Sequence, residues 1–308
     1  MCVFFKHDQM HSGMPVHAFR IARIDNTEVR VGKAFAMKGW MLALALTCAA
    51  ATVQAGEVQV ARAGYSLQAE QQGQGAVTVV FESGFGQGAG VWKDTIAELG
   101  ADCTCIAYAR AGLGKSGTDG TPKTIEQHLQ DLGAVIDTLA PGRKVLLVGH
   151  SYGGLLATEF ARRYPQRLLG LVLVDPATMG QRQDALRVAR ERVLADDKAM
   201  LAMLPPKLAE DYKLLIAQLD SDAAATPRSL PDLPVALLTS TQVAAEPFVF
   251  EETAEGKALW KRQHAELFAG VSRGIHRYYA TGHNIHRENP KGVAEAIRFV
   301  AAASQAGN

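Results

Sequence analysis

The sequence predicts an α/β architecture: a mostly parallel central sheet, helices on both of its faces, and a helical insertion past its middle. Three observations predict it. Short runs that are apolar on both faces recur along the chain, as in Val145-Leu146-Leu147-Val148 and Leu171-Val172-Leu173-Val174. Strands without a polar face belong in a sheet covered on both sides. Segments with helical spacing alternate with these runs, which is the pattern of parallel strands joined by crossover helices. The alternation stops near Pro176 and resumes near Pro234.

The elements follow in order. Val77 to Phe81 is β-branched and apolar and ends at a glycine-rich loop, Ser83-Gly84-Phe85-Gly86-Gln87-Gly88. Residues of about 90–99 read as a helix and Cys103 to Tyr108 as a strand. Ile125, Leu129, Leu132, Val135, Ile136 and Leu139 recur at helical spacing over Thr124 to Leu139. Val145 to Val148 is a strand, Tyr152 to Tyr164 a helix stopped by Pro165, and Leu171 to Val174 a strand. Residues of about 178–232 form the insertion, expected to be a helical cap, broken at Pro205-Pro206. There Met200, Leu201, Met203, Leu204, Leu208, Leu214, Leu215 and Ile216 are expected to face inward. A pocket lined by such side chains accepts apolar groups. Pro234 to Leu238 is a strand, 256–269 a helix, Ile275 to Ala280 a strand, and Pro290 to Ala302 the last helix.

The chain has 308 residues, 48% apolar and 20% charged, with a net charge of +1. That balance points away from nucleic acid and anionic membrane surfaces. Residues 1–55 read as an N-terminal extension and signal peptide. Met37-Lys38-Gly39-Trp40 opens a short apolar run to Leu46, and Val53-Gln54-Ala55 gives a small-residue cleavage site before Gly56. The run is too short to span a bilayer. Export to the periplasm or medium is expected, with Met37 an alternative start to Met1. Cys48 matches a lipoprotein box poorly, so no stable membrane anchor is expected. The folded domain is then 56–308. Within it Cys103 and Cys105 sit two apart on one strand, which suits buried thiols rather than a mutual disulfide. His and Cys spacing suggests no metal site.

The motif G-x-S-x-G occurs twice, at Gly149-His150-Ser151-Tyr152-Gly153 and at Gly270-Val271-Ser272-Arg273-Gly274. Context separates them. The first runs from a buried strand into a helix, the setting a nucleophile elbow needs. The second runs from a helix end into a strand, so Ser272 reads as a linker serine. Gly112-Leu113-Gly114-Lys115-Ser116 contains the tail of a phosphate-binding loop, but Ala109 stands where that loop needs glycine.

Val148 to Gly154 resembles the elbow of the α/β-hydrolase superfamily, in its esterase- and lipase-like branch. Phe81-Glu82-Ser83-Gly84-Phe85-Gly86 resembles the loop after that fold's third strand, with Ser83-Gly84 in place of His-Gly. Tyr108 to Ser116 resembles the D-R-x-G-x-G-x-S loop, with Ala109 in place of aspartate, and Thr281-Gly282-His283-Asn284-Ile285-His286 resembles the closing S-G-H segment. The likeness covers roughly residues 75–305 and is weakest between 180 and 260. It implies the α/β-hydrolase fold and an acyl-serine reaction on a small or medium apolar ester, thioester or amide, without a cofactor. Ser151 is then the nucleophile and His283 the base, with His286 as the near rival. The amides of Phe85 and Tyr152 form the oxyanion hole.

The acid is open. Most of the family carries it just after the strand at 234–238, where this chain has Thr239-Ser240-Thr241-Gln242-Val243. Asp175, one strand earlier, is the first candidate, Glu246 the alternative, with Glu251 and Glu252 behind them. Two other readings differ in kind: an acyltransferase of the same fold, in which an alcohol rather than water resolves the acyl-enzyme, and a hydrolase-fold binding protein with a degenerate triad, which the missing carboxylate keeps alive.

Overall fold

The computed structural model describes residues 56–221 and 229–305. The leader expected at 1–55 and its cleavage site lie outside the described residues, apart from Gly56. Eight strands form one sheet in the order β1-β2-β4-β3-β5-β6-β7-β8. They are β1 (Gly56–Arg62), β2 (Tyr65–Gln72), β3 (Val77–Glu82), β4 (Cys103–Tyr108), β5 (Val145–His150), β6 (Leu168–Val174), β7 (Val235–Ser240) and β8 (Gly274–Tyr279). The pairs β1–β2 and β2–β4 are antiparallel, and every pair from β4 through β8 is parallel. The helices are α1 (Lys93–Leu99), α2 (Ile125–Leu139), α3 (Tyr152–Arg163), α4 (Gln181–Met203), α5 (Pro206–Leu219), α6 (Ala254–Phe268), α7 (Ile285–Glu288) and α8 (Pro290–Gln305).

The hairpin β1–β2 was not foreseen. Its strands carry many polar residues; in β2 Leu67, Gln68 and Ala69 are buried in succession, whereas β1 alternates, with Val60 buried and Glu57 and Gln59 exposed. Such period-two burial is what an antiparallel margin with one wet face requires. From β3 to β7 burial is nearly continuous, because layers lie on both sides. Val79, Phe81, Cys105, Leu146, Val148, Val172, Val174, Ala236 and Leu238 join Trp92, Ile96, Val293, Ile297 and Val300 in one core, which puts α1 and α8 on that face. Alternate residues such as Leu147 and Gly149 look the other way, toward α3. A Cβ on Gly149 would come within 2.8 Å of the Ala157 Cβ. Cys103 and Cys105 are both buried and free, and burial pushes the Cys105 thiol up to about 12.

The insertion between β6 and β7 is helical, built by α4 and α5. Ala189 interrupts α4 with φ −142° and ψ 52°. Leu204 and Pro205 separate the two helices, and Pro206 opens α5. Proline is tolerated at the first helical position because no backbone donor is needed there. Met200, Leu204, Leu215 and Leu219 are buried, but Met203 is half exposed and does not face inward as expected. The chain leaves the helix there: Met203 is the last residue of α4, and the extended Leu204 takes the buried place. Within the cap, Arg182 bridges Asp220 at 2.7 Å and Asp197 at 3.1 Å, and the Tyr212 hydroxyl donates to Asp197 at 2.8 Å.

Candidate active site

Ser151 stands between β5 and α3 with φ 52° and ψ −121°. A non-glycine residue at positive φ costs on the order of 1–3 kcal/mol and persists only where neighbours enforce it. Here they do. Ser151 N–H donates to the Val174 carbonyl at 3.2 Å, and the Ser151 carbonyl accepts from Ala177 N–H at 2.9 Å. The glycines of the motif give this turn its room. A Cβ on Gly149 would lie 2.4 Å from the Gly153 carbonyl oxygen. One on Gly153 would lie 2.3 Å from the Glu82 carbonyl oxygen, and one on Gly154 would lie 2.5 Å from the Pro176 Cβ. The small residues of the elbow are therefore fixed by contact with the ends of β3 and β6. Ser272, in the second copy, donates to Asp232 at 2.8 Å between α6 and β8, away from this turn.

Asp175 follows β6 at φ 45° and is wholly buried. Aspartate tolerates this conformation better than most side chains. Its Oδ1 accepts from the Ser240 backbone N–H at 2.7 Å and from Trp260 Nε1 at 2.8 Å. Its Oδ2 accepts from the Ser240 hydroxyl at 2.7 Å and from His283 Nδ1 at 2.7 Å. Burial by itself would raise this carboxyl's pKa. The hydrogen bond and charge of His283, together with His264 and Lys257, outweigh burial and hold it below the usual carboxylate range. Lys257 Nζ, itself buried, donates to the Ser240 hydroxyl at 2.9 Å. Glu246, the alternative acid, is exposed on the loop after β7, and Glu251 bonds Gln181 at 3.2 Å. Glu252 accepts from Phe248 N–H at 2.5 Å. Of the four carboxylates considered, Asp175 is the one bonded to His283.

His283 is buried on the loop between β8 and α7. Its carbonyl accepts from His150 Nε2 at 3.0 Å, and the two rings lie 4.7 Å apart. His150 thus packs behind the site. His286 packs further back, 4.2 Å from the His150 ring and 4.9 Å from Trp92. Burial holds His150 well below its ordinary range and His286 down to about 3.

Phe85 and Tyr152 meet edge to face, with ring centroids 6.1 Å apart. Among the described residues neither backbone N–H donates to a protein acceptor, and Ser151 Oγ has no hydrogen-bond partner. Buried donors left open in this way are what an oxyanion hole presents before substrate arrives. Catalytic hydrogen bonds are commonly long until substrate is bound. The site is closed: Ser151 is 1% exposed, and the cap's Tyr212 ring lies 5.8 Å from that of Phe85. A separate cavity of 430 Å³ lies between α3, α4 and α6, lined by Leu155, Glu159, Met179, Asp184, Arg187 and Gln263 among others. It holds none of Ser151, Asp175 or His283. Among the described residues no helix is long and apolar enough to cross a membrane, and no group of His, Cys, Asp or Glu could hold a metal ion.

Sequence reasoning missed Ser240, Trp260 and Lys257 as the shell of Asp175, and it gave no role to Arg110. The signal for Ser240 was present. It occupies the end of β7, where the resembled family carries its acid, and there its hydroxyl and N–H bond Asp175.

The model of the alpha/beta hydrolase family matches residues 79–296. An uncharacterized protein of Bacillus subtilis (strain 168), YqjL, is 28% identical over 228 residues, covering 74% of this chain and 84% of that protein. A (lyso)-N-acylphosphatidylethanolamine lipase of Mus musculus is 35% identical over 101 residues, covering 32% of this chain and 30% of the lipase. A thermophilic esterase from Thermogutta terrifontis superimposes with a TM-score of 0.52 at 22% identity, covering 82% of this chain and 99% of the esterase. At that identity the likeness is one of fold.

Proposed function

Because this chain belongs to the α/β hydrolase family, we propose that it is a serine esterase acting through an acyl-serine intermediate. In this reading Ser151 is the nucleophile, His283 the general base, Asp175 the acid that orients it, and the Phe85 and Tyr152 amides the oxyanion hole. The observation that carries the proposal is the 2.7 Å bond from His283 Nδ1 to a carboxylate that also accepts three other donors. Asp175 holds the proton on Nδ1, which leaves Nε2 in the form that accepts a proton from serine. A serine hydroxyl needs such a base to become a nucleophile at neutral pH.

The steps follow from these roles. Ser151 Oγ attacks the ester carbonyl while its proton passes to His283 Nε2. The carbonyl oxygen gains charge and is met by the two open amides. Collapse expels the alcohol, which takes the proton from His283. Water then repeats the sequence and releases the acid. Because Ser151 is covered, α5 with Tyr212 must yield before substrate enters, and its return excludes water during acylation. A fluorophosphonate probe should label the protein, and Ser151→Ala should lose both labelling and turnover of 4-nitrophenyl acetate. Full labelling of that variant would sink the assignment. An acyltransferase would differ in one respect, with added alcohol diverting the acyl group into a new ester.

A further inference from the structure

Arg110 takes no part in the steps above, yet it is buried beneath the site and only 3% exposed. We propose that Arg110 is a positioning residue that aims the Phe85 N–H at the developing oxyanion. The inference rests on the acyl-serine reading of the site.

The geometry is a fork. Arg110 Nη2 donates to the Gly84 carbonyl at 2.5 Å, and Nη1 donates to the Ser83 carbonyl at 2.6 Å and to Glu82 Oε1 at 2.5 Å. The Gly84 carbonyl belongs to the same peptide unit as the Phe85 N–H. No cis peptide bond occurs among the described residues. In a trans peptide the C=O and N–H point in opposite directions, so fixing one end fixes the other. The loop cannot supply that rigidity itself. It runs Ser83-Gly84-Phe85-Gly86, with Gly86 at φ 69°, and glycine-flanked peptides rotate easily. A cation bonded to the carbonyl also draws charge along the peptide, which makes its N–H a better donor.

Two contacts hold the fork in place. The Glu82 carboxylate accepts from the Tyr108 hydroxyl at its other oxygen, so the ion pair is anchored from both sides. The guanidinium carbon lies 5.2 Å from the ring centroid of Tyr152, the residue whose N–H is the second open amide. From the opposite side, Gly153 of the elbow rests on the Glu82 and Ser83 carbonyls, where a Cβ would come within 2.5 Å of both. Arg110 and the elbow thus clamp the same stretch of backbone. Lysine would keep the charge but offers one nitrogen, which cannot span two successive carbonyls and a carboxylate in fixed planar geometry.

A buried ion pair of structural value alone predicts a different result, so the test separates kcat from stability. The variants are Arg110→Lys and, as a control outside the site, Arg62→Lys, which loosens the 2.6 Å ion pair of β1 with the buried Asp131. For each, kcat and KM on a 4-nitrophenyl ester, the inhibition constant of a trifluoromethyl ketone, and Tm are measured. Removing one oxyanion donor outright costs about 10²–10³ in kcat, so misaiming one should cost about 30-fold. Arg110→Lys is expected to lose that in kcat with KM changed less than about threefold, and to bind the ketone, whose adduct bears the oxyanion, weaker by a like factor. Arg62→Lys is expected to keep kcat within about threefold. Should Arg110→Lys not fold, the charge-free pair Glu82→Gln with Arg110→Met gives the same readouts. A reactive wild type with unimpaired kcat in these Arg110 variants, or a loss confined to Tm, overturns this inference alone. A wild type inert to both ester and fluorophosphonate overturns the acyl-serine reading and this inference with it.

Discussion

Asp175→Asn is the sharpest test of the charge arrangement, because the four bonds to Asp175 leave the amide one acceptable orientation. The Ser240 N–H and the Trp260 indole N–H can only donate, and both meet Oδ1 at 2.7 and 2.8 Å. Asparagine must therefore put its oxygen there and its NH₂ at the Oδ2 position. That NH₂ then faces the Ser240 hydroxyl, which can turn to accept, and His283 Nδ1, which can accept only by giving up its proton. The imidazole is left with its proton on Nε2 and cannot take one from Ser151. The fold should survive, since shape and bond count are kept. A wrong tautomer in a triad costs about 10⁴ in kcat, or about 5.5 kcal/mol of transition-state stabilisation. Steady-state kinetics on 4-nitrophenyl acetate and the rate of fluorophosphonate labelling both read this loss. The exposed Glu246→Gln serves as control and should stay within about twofold. Retention of more than about a tenth of kcat in Asp175→Asn, or an equal fall in Glu246→Gln, would refute the assignment of the acid.

Three other outcomes follow from the packing. Burial lowers the pKa of His264 to about 4 and of His286 to about 3. These lie below the ordinary histidine value, so the unfolded chain binds more protons in between, and stability is full above about pH 6.5 and falls as pH drops toward 4 and 3. Each group should remove about 2 kcal/mol between pH 7 and 5, read as urea midpoints. His286 has neither ring nitrogen bonded among the described residues, so His286→Leu should cut the acid loss by that amount; an unchanged pH profile would refute the account. Gly153→Ala should destabilise the fold by about 3 kcal/mol or more, because the obstructing atoms are backbone, while Gly90→Ala, with open space around it, should be tolerated; equal Tm values for the two would contradict the packing. Arg182→Met leaves Asp197 uncompensated within the cap and should cost about 3 kcal/mol. Limited proteolysis should then cut first within α4 and α5, and uniform cutting across the chain would speak against a cap held by this pair.

The sequence by itself determined the parallel sheet, the helical cap and the elbow. Each is written locally: strands apolar on both faces, a proline-broken helical insertion, and glycines around Ser151 where neighbouring atoms forbid a Cβ. It did not reveal β1 and β2, whose half-wet strands alternate too weakly, nor the outward turn of Met203. It also left the acid open, and there the tertiary structure supplied the missing geometry. Asp175 and Ser240 are 65 residues apart, and no spacing rule links them. Parallel pairing of β6 with β7 brings their ends together, so a carboxylate on one strand takes the histidine while a serine fills the corresponding place on the next. Arg110 shows the same limit. Its bonds to Ser83 and Gly84 cross from the end of β4 to the end of β3, and only sheet order decides that neighbours in space include residues far apart in the chain.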